Sequence, residues 1–270
     1  MKVFLIDVAL CMGCYACQIA CKDEHCGNDW MPYAKPQPDT GQFWGKINEY
    51  VRGNIPQVKM SYVFEPCHHC DDAPCIPACP VEGGIYRRPD GLVIIDPKKC
   101  TGCKSCIDAC LYGRIYLNEE LNLAQKCTGC AHLLDRGGVF KEPRCVDACA
   151  PEAIKFGEES EFSELISQAE ILHPEYGLSP RVYYLNLPRK FIAGTVYSPV
   201  DEEVVIGATC TLTGEGDTFT QTTNDWGDFW FDGLKVGTYS LKIETGGKTK
   251  TISNISTAKD VGLGDIALDY

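Results

Sequence analysis

Beyond residue 190 apolar and polar residues alternate. Ile206, Ala208, Cys210 and Leu212 hold one phase and Gly207, Thr209, Thr211 and Thr213 the other, and the same period recurs at Phe229/Phe231 and at Tyr239/Leu241/Ile243. Successive strand side chains point to opposite faces, so this pattern predicts half-buried strands. Asn224-Asp225-Trp226-Gly227 and Gly246-Gly247 supply turns. About seven such strands fit this region, as in an antiparallel immunoglobulin-like sandwich. Before residue 190 the pattern changes. Lys2 to Asp7 and Leu92 to Asp96 predict short strands, each leading into a cysteine-rich loop, and short helices are expected after Cys17, Cys106 and Cys145.

The chain of 270 residues therefore divides into an α+β domain over residues 1–190 and an all-β sandwich over 191–270. An insertion over residues 22–66 carries Trp30, Tyr33, Phe43, Trp44 and Tyr50 with five prolines, too aromatic for a disordered linker. It reads equally as a docking surface for a partner and as a cover that keeps water from buried groups. The run Gly227-Asp228-Phe229-Trp230-Phe231-Asp232-Gly233-Leu234, followed by Gly237-Thr238-Tyr239, resembles the transthyretin-like or carboxypeptidase-regulatory module. That resemblance implies an accessory domain without chemistry of its own.

Sixteen of the eighteen cysteines fall into four groups: Cys11, Cys14, Cys17 and Cys21; Cys67, Cys70, Cys75 and Cys79; Cys100, Cys103, Cys106 and Cys110; Cys127, Cys130, Cys145 and Cys149. The first and third read C-x2-C-x2-C-x3-C, the spacing with which ferredoxins hold cubane clusters, the fourth cysteine ligating the other cluster of a pair. Three thiolates converge on one cube from a short loop, while the fourth is carried off by the following helix. Groups must therefore work in pairs.

An internal repeat orders them. Leu5-Ile6-Asp7, Cys11-Met12-Gly13-Cys14 and Ala20-Cys21 are echoed by Ile94-Ile95-Asp96, Cys100-Thr101-Gly102-Cys103 and Ala109-Cys110. Cys75-Ile76-Pro77-Ala78-Cys79-Pro80 likewise matches Cys145-Val146-Asp147-Ala148-Cys149 with Pro151. The middle two groups lie close in sequence and form one two-cluster ferredoxin, with Cys67, Cys70 and Cys75 joined by Cys110, and Cys100, Cys103 and Cys106 joined by Cys79. The outer two come together around it, so a double two-4Fe-4S ferredoxin-like domain with four clusters is expected.

A disulfide framework is disfavoured, because such chains are typically short and secreted, and Met1-Lys2-Val3-Phe4-Leu5 runs straight toward the first ligand loop with no signal peptide. Structural zinc is the stronger competitor, but zinc knuckles use two cysteines per arm and these arms carry a third and a fourth. Cys210 lies on the apolar phase of its strand and reads as a small buried hydrophobe; Cys26 has no clear role. His68, His69 and His132 sit beside ligands, where each either donates to cluster sulfur or simply shapes the loop. No Rieske centre is expected, since no group lacks a cysteine.

The formal charge of −12 makes nucleic acid an unfavourable partner. No apolar run approaches the roughly 20 residues of a membrane-spanning helix. Catalytic triads, phosphate loops and paired carboxylates are absent, so no catalytic site of its own is expected.

The four groups, with Lys126-Cys127-Thr128-Gly129-Cys130-Ala131-His132 in the last, resemble the four-cluster electron-transfer subunits of the dimethyl-sulfoxide-reductase-type molybdopterin oxidoreductases. The resemblance implies a large partner subunit holding molybdenum or tungsten on a bis-pterin cofactor, in a heterodimer or a multiple of one, and an external electron carrier. It also supports the outer pairing: Cys11, Cys14 and Cys17 with Cys149, and Cys127, Cys130 and Cys145 with Cys21. One of the outer clusters would face the partner.

Within the family, Ala124-Gln125-Lys126-Cys127-Thr128, Ala131-His132-Leu133-Leu134-Asp135, Asp90-Gly91, Ile95-Asp96-Pro97 and Pro180-Arg181-Val182-Tyr183-Tyr184 are most similar to the small subunits of pyrogallol–phloroglucinol transhydroxylases, which share the appended β-domain. That implies polyhydroxylated aromatic substrates. Those subunits are expected to lack most of the third group and to keep three clusters, whereas here Cys100, Cys103, Cys106 and Cys110 are all present. Transhydroxylation needs no net electrons, so an intact fourth cluster favours a hydroxylase or reductive dehydroxylase, with transhydroxylation close behind. Two other readings are the small subunit of a respiratory reductase with another substrate and a stand-alone polyferredoxin. Relatives of the respiratory class often end in a membrane-spanning tail, whereas this sequence ends Asp265-Ile266-Ala267-Leu268-Asp269-Tyr270. A cytoplasmic location is expected, with export beside a partner bearing a twin-arginine signal as the alternative.

Overall fold

The computed structural model describes residues 1–268; Asp269 and Tyr270, the end of the expected tail-free terminus, lie outside the described residues. Two compact units divide the chain. One comprises Met1–Glu49 and Ser61–Leu187; the other comprises Tyr50–Met60 and the chain from Pro188 onward.

The first unit is built on a three-stranded sheet. Lys2–Asp7 lies at its centre, antiparallel to Ile154–Glu158 and parallel to Val182–Leu185. Val3, Phe4, Leu5 and Ile6 are all buried, which explains why this strand reads as a continuous apolar run rather than an alternating one. Two short hairpins follow, Ile85–Arg87 with Val93–Ile95 and Tyr116–Asn118 with Leu123–Gln125. The helices are short: Ala16–His25 is the longest at 10 residues, and Ser105–Asp108, Ala131–Arg136 and Arg144–Asp147 are single turns or little more. Helices this short are marginal on their own, and here three of the four bury a thiol, Cys17 and Cys21 in the first, Cys106 and Cys145 in two others, while Ala131–Arg136 follows directly on Cys130.

Much of the insertion forms a hairpin, Lys46–Asn54 paired with Gln57–Glu65. Its tip belongs to the second unit. Arg52 Nη1 lies 3.0 Å from Asp260 Oδ1, the Gly262 N–H donates to Asn54 Oδ1 (3.0 Å), and the Gly264 N–H donates to Gln57 Oε1 (3.2 Å). These polar contacts join segments about two hundred residues apart in sequence, so local composition gave no sign of them.

From Pro188 onward the second unit contains eight strands among the described residues, where about seven were expected. Lys190–Ser198 pairs with Glu203–Val204, Asp228–Leu234 and Val261–Ala267; the second sheet runs Asp217–Thr222, Thr209–Gly214, Thr238–Thr245 and Lys248–Ser256. Cys210, Leu212, Phe229, Phe231, Tyr239, Leu241 and Ile243 are buried in one core, as their alternation implies. Ile206 corrects the pattern. It is 59% exposed, because Gly207 turns the chain at φ 72° and donates to Thr223 O (3.0 Å), so the strand starts only at Thr209.

Candidate metal centres

Three ligand loops share Cys-x-Gly-Cys, and the glycines have φ of 69° (Gly13), 70° (Gly102) and 62° (Gly129). This left-handed backbone turns the second thiol toward the first, and an added Cβ would stand 2.6 Å from the Tyr62 ring, 2.4 Å from Asn122 O or 2.8 Å from Leu92 Cδ1. The second group places His69 at the same position, with φ 45°. A bulky residue in this region is uncommon enough to suggest a local role.

The thiols gather in four mixed sets. Cys67, Cys70, Cys75 and Cys110 line one cavity, and Cys79, Cys100, Cys103 and Cys106 line a second. The thiols of Cys11, Cys14, Cys17 and Cys149 are mutual electrostatic neighbours, as are those of Cys21, Cys127, Cys130 and Cys145. In every set three cysteines come from one group and the fourth from another.

The sets also form a row. Cys17 lies within electrostatic reach of Cys21 and Cys145, Cys127 of Cys67, and Cys75 of Cys106. The order is thus the Cys11 set, the Cys21 set, the Cys67 set and the Cys79 set. The two end sets contain the exposed thiols Cys14 and Cys103, and the middle two are mostly buried. No local spacing encodes that order.

A family model of the 4Fe-4S dicluster domain matches residues 58–159, and one of the carboxypeptidase regulatory-like domain matches residues 192–269. The pyrogallol hydroxytransferase small subunit of Pelobacter acidigallici is 38% identical over 98% of this chain and 98% of its own. This chain belongs to the family of iron–sulfur electron-transfer subunits of molybdopterin oxidoreductases. A tetrathionate reductase subunit of Salmonella typhimurium is 34% identical over 70% of this chain and 73% of its own, and the arsenate respiratory reductase iron–sulfur subunit of Shewanella sp. (strain ANA-3) is 30% identical over 72% and 98%.

The donor sets of this iron–sulfur subunit fit cubane clusters on three observations. First, burial pushes the thiols of Cys17, Cys21, Cys70 and Cys106 up to about 12 and those of Cys75 and Cys127 up to about 11. Thiolates so placed need a cationic core beside them. Second, the thiols of the Cys67 and Cys79 sets line cavities, and among the described residues no three His, Cys, Asp or Glu side chains are placed to hold a single metal ion. Third, donors point at the sulfurs. The N–H groups of Ala124, Arg114 and Gly129 donate to Cys100, Cys110 and Cys127 Sγ at 3.3, 3.4 and 3.3 Å.

The histidines divide by environment. His69 Nδ1 accepts the Val93 N–H at 2.9 Å, which puts its proton on Nε2, a buried atom with no protein partner on the wall of the Cys67 cavity. Both nitrogens of His68, in the same wall, are likewise unpartnered, and burial holds its imidazole neutral, with a pKa down to about 3. Cluster sulfide would satisfy these donors. His132 instead uses Nε2 for Glu24 Oε1 (2.9 Å) and stacks on Trp30 at 4.4 Å. His25 escaped the sequence reading. Its Nε2 lies 3.8 Å from Cys130 Sγ and its ring packs 4.5 Å from Trp44. The available signal was helical, since His25 follows Cys21 by one turn on the same face. Cys210 and Cys26 stay outside the sets; Cys26 Sγ donates to Asp39 Oδ1 at 2.9 Å.

Proposed function

We propose that this chain holds four 4Fe-4S clusters, one in each cysteine set, and relays single electrons between a molybdenum or tungsten pterin site in a large partner subunit and an external carrier. The observation that carries the proposal is the row of four mixed sets with an exposed thiol at each end. A row with both ends at the surface suits passage through the subunit, while buried inner sets suit retention of the electron. The chain's own residues hold the clusters and set their potentials through thiolate ligation, backbone donors and burial. The redox chemistry belongs to the clusters.

The substrate class proposed for the complex is a polyhydroxylated aromatic, supported by the match with the pyrogallol hydroxytransferase small subunit across both units. The complete third group favours net oxidation or reduction over pure hydroxyl transfer. The test is anaerobic native purification, with molybdenum and tungsten counted on the co-eluting large subunit, then titration with pyrogallol or phloroglucinol under electron paramagnetic resonance. A pterin metal and substrate-dependent change of cluster oxidation state are expected. Hydroxyl transfer with silent clusters would return the complex to transhydroxylation, and absence of a partner and pterin metal would contradict the proposal.

A further inference from the structure

Lys126, a residue with a basic side chain, is 2% exposed. Its Nζ donates to the backbone carbonyls of Val93 and of Cys127, the latter at 3.0 Å. Among the described residues no carboxylate forms an ion pair with it, in contrast to Arg114, paired with Glu65, and Arg181, paired with Asp71. Carbonyl dipoles alone compensate a desolvated cation poorly, so a buried lysine in this setting calls for negative charge close by. The charge of Lys126 acts on the thiols of Cys75 on one side and Cys127 on the other. Those two cysteines belong to different sets, the two inner ones.

We propose that Lys126 is a positioning residue for the electron, a fixed positive charge shared by the clusters of the Cys21 and Cys67 sets that raises the potential of both. The inference rests on the four-cluster relay proposed above. Each one-electron reduction adds one negative charge to a buried cluster and moves no proton, so a cation at the junction favours the reduced form of either neighbour. Its effect on one cluster is unchanged when the other is reduced, while the two added negative charges repel each other directly. With the cation at the junction of the inner sets, the electron is favoured at the centre of the row.

The test uses the native complex with Lys126→Gln, which keeps a donor for the two carbonyls, and Lys126→Met, which matches the stem without one. Lys126→Arg, which keeps the charge, is the rescue. Iron per chain is measured first, and then each cluster signal is titrated by electron paramagnetic resonance. In both neutral variants two signals are expected to lose about tenfold in electron affinity, about 59 mV for one electron, while the other two move less than half as far. The arginine variant is expected to restore both. Unchanged potentials at full iron content, or an equal shift of all four signals, would overturn the role of Lys126. A wild-type chain lacking four clusters would overturn the relay itself, and the iron count shows this before any variant is compared.

Discussion

Gly102 and Gly113 both hold left-handed backbone, at φ 70° and 61°, but their surroundings differ. A methyl group on Gly113 would meet nothing within 4 Å, whereas on Gly102 it would stand 2.4 Å from both the backbone oxygen and the Oδ1 of Asn122. Left-handed backbone costs a non-glycine residue about 1–2 kcal/mol, so Gly113→Ala is expected to lose about that much. Gly102→Ala must also relieve the clash. Asn122 adjoins the strand Leu123–Gln125, whose Ala124 N–H donates to Cys100 Sγ, so either the ligand loop or its donor has to move. Overpacking of this kind adds about 1–3 kcal/mol, for a total of roughly 2–5 kcal/mol. At about 2–4 °C per kcal/mol for a unit of this size, the apparent Tm falls by roughly 2–8 °C for Gly113→Ala and roughly 4–20 °C for Gly102→Ala. Anaerobic thermal denaturation with an iron count on the same samples distinguishes them: Gly102→Ala is expected to lose about four irons, one cluster, and Gly113→Ala none. Equal Tm and equal iron in the two variants would refute the reasoning.

Three further outcomes follow from the same geometry. Cys75→Ser is expected to remove one cluster, read as a loss of about four irons per chain, while Cys26→Ser and Cys210→Ser leave the iron count unchanged because neither thiol belongs to a set. Leu212→Ala, in the fully buried core of the sandwich, is expected to cost about 2–5 kcal/mol in denaturant unfolding without altering iron content. Arg88 holds the Asp135 carboxyl down from 3.8 to about 2. The folded-state pKa is depressed, so the contribution is complete above pH 4 and is lost as the pH falls toward 2; with the carboxylate 42% exposed, solvent screening limits it to about 1 kcal/mol or less. Asp135→Asn should flatten this acid limb in a pH series of unfolding measurements.

The cysteine groups were legible because their pattern is local: two-residue gaps, a left-handed glycine and a following helix all lie within about a dozen residues. The inner pairing followed from closeness in sequence, whereas the outer pairing leaned on resemblance, since Cys11 and Cys149 meet only through the sheet that sets Lys2–Asp7 beside Ile154–Glu158. The order of the sets, the place of His25 and the isolation of Lys126 depend on which segments pack together, and no period in the sequence reports that. The β-domain was legible through alternation except at its irregular points. Ile206 fitted the period and failed, because a turn at Gly207 ends the periodicity before it reaches that residue. The hairpin tip at Tyr50–Met60 was hidden by its polar side chains, whose partners lie in the second unit.

The central claim is a row of four clusters in this chain, and an iron and acid-labile sulfide count on the anaerobically purified native complex tests it most directly. About sixteen irons per chain are required, four for each set. About twelve would mean that one set stands without a cluster, and the continuous relay argued here would be wrong.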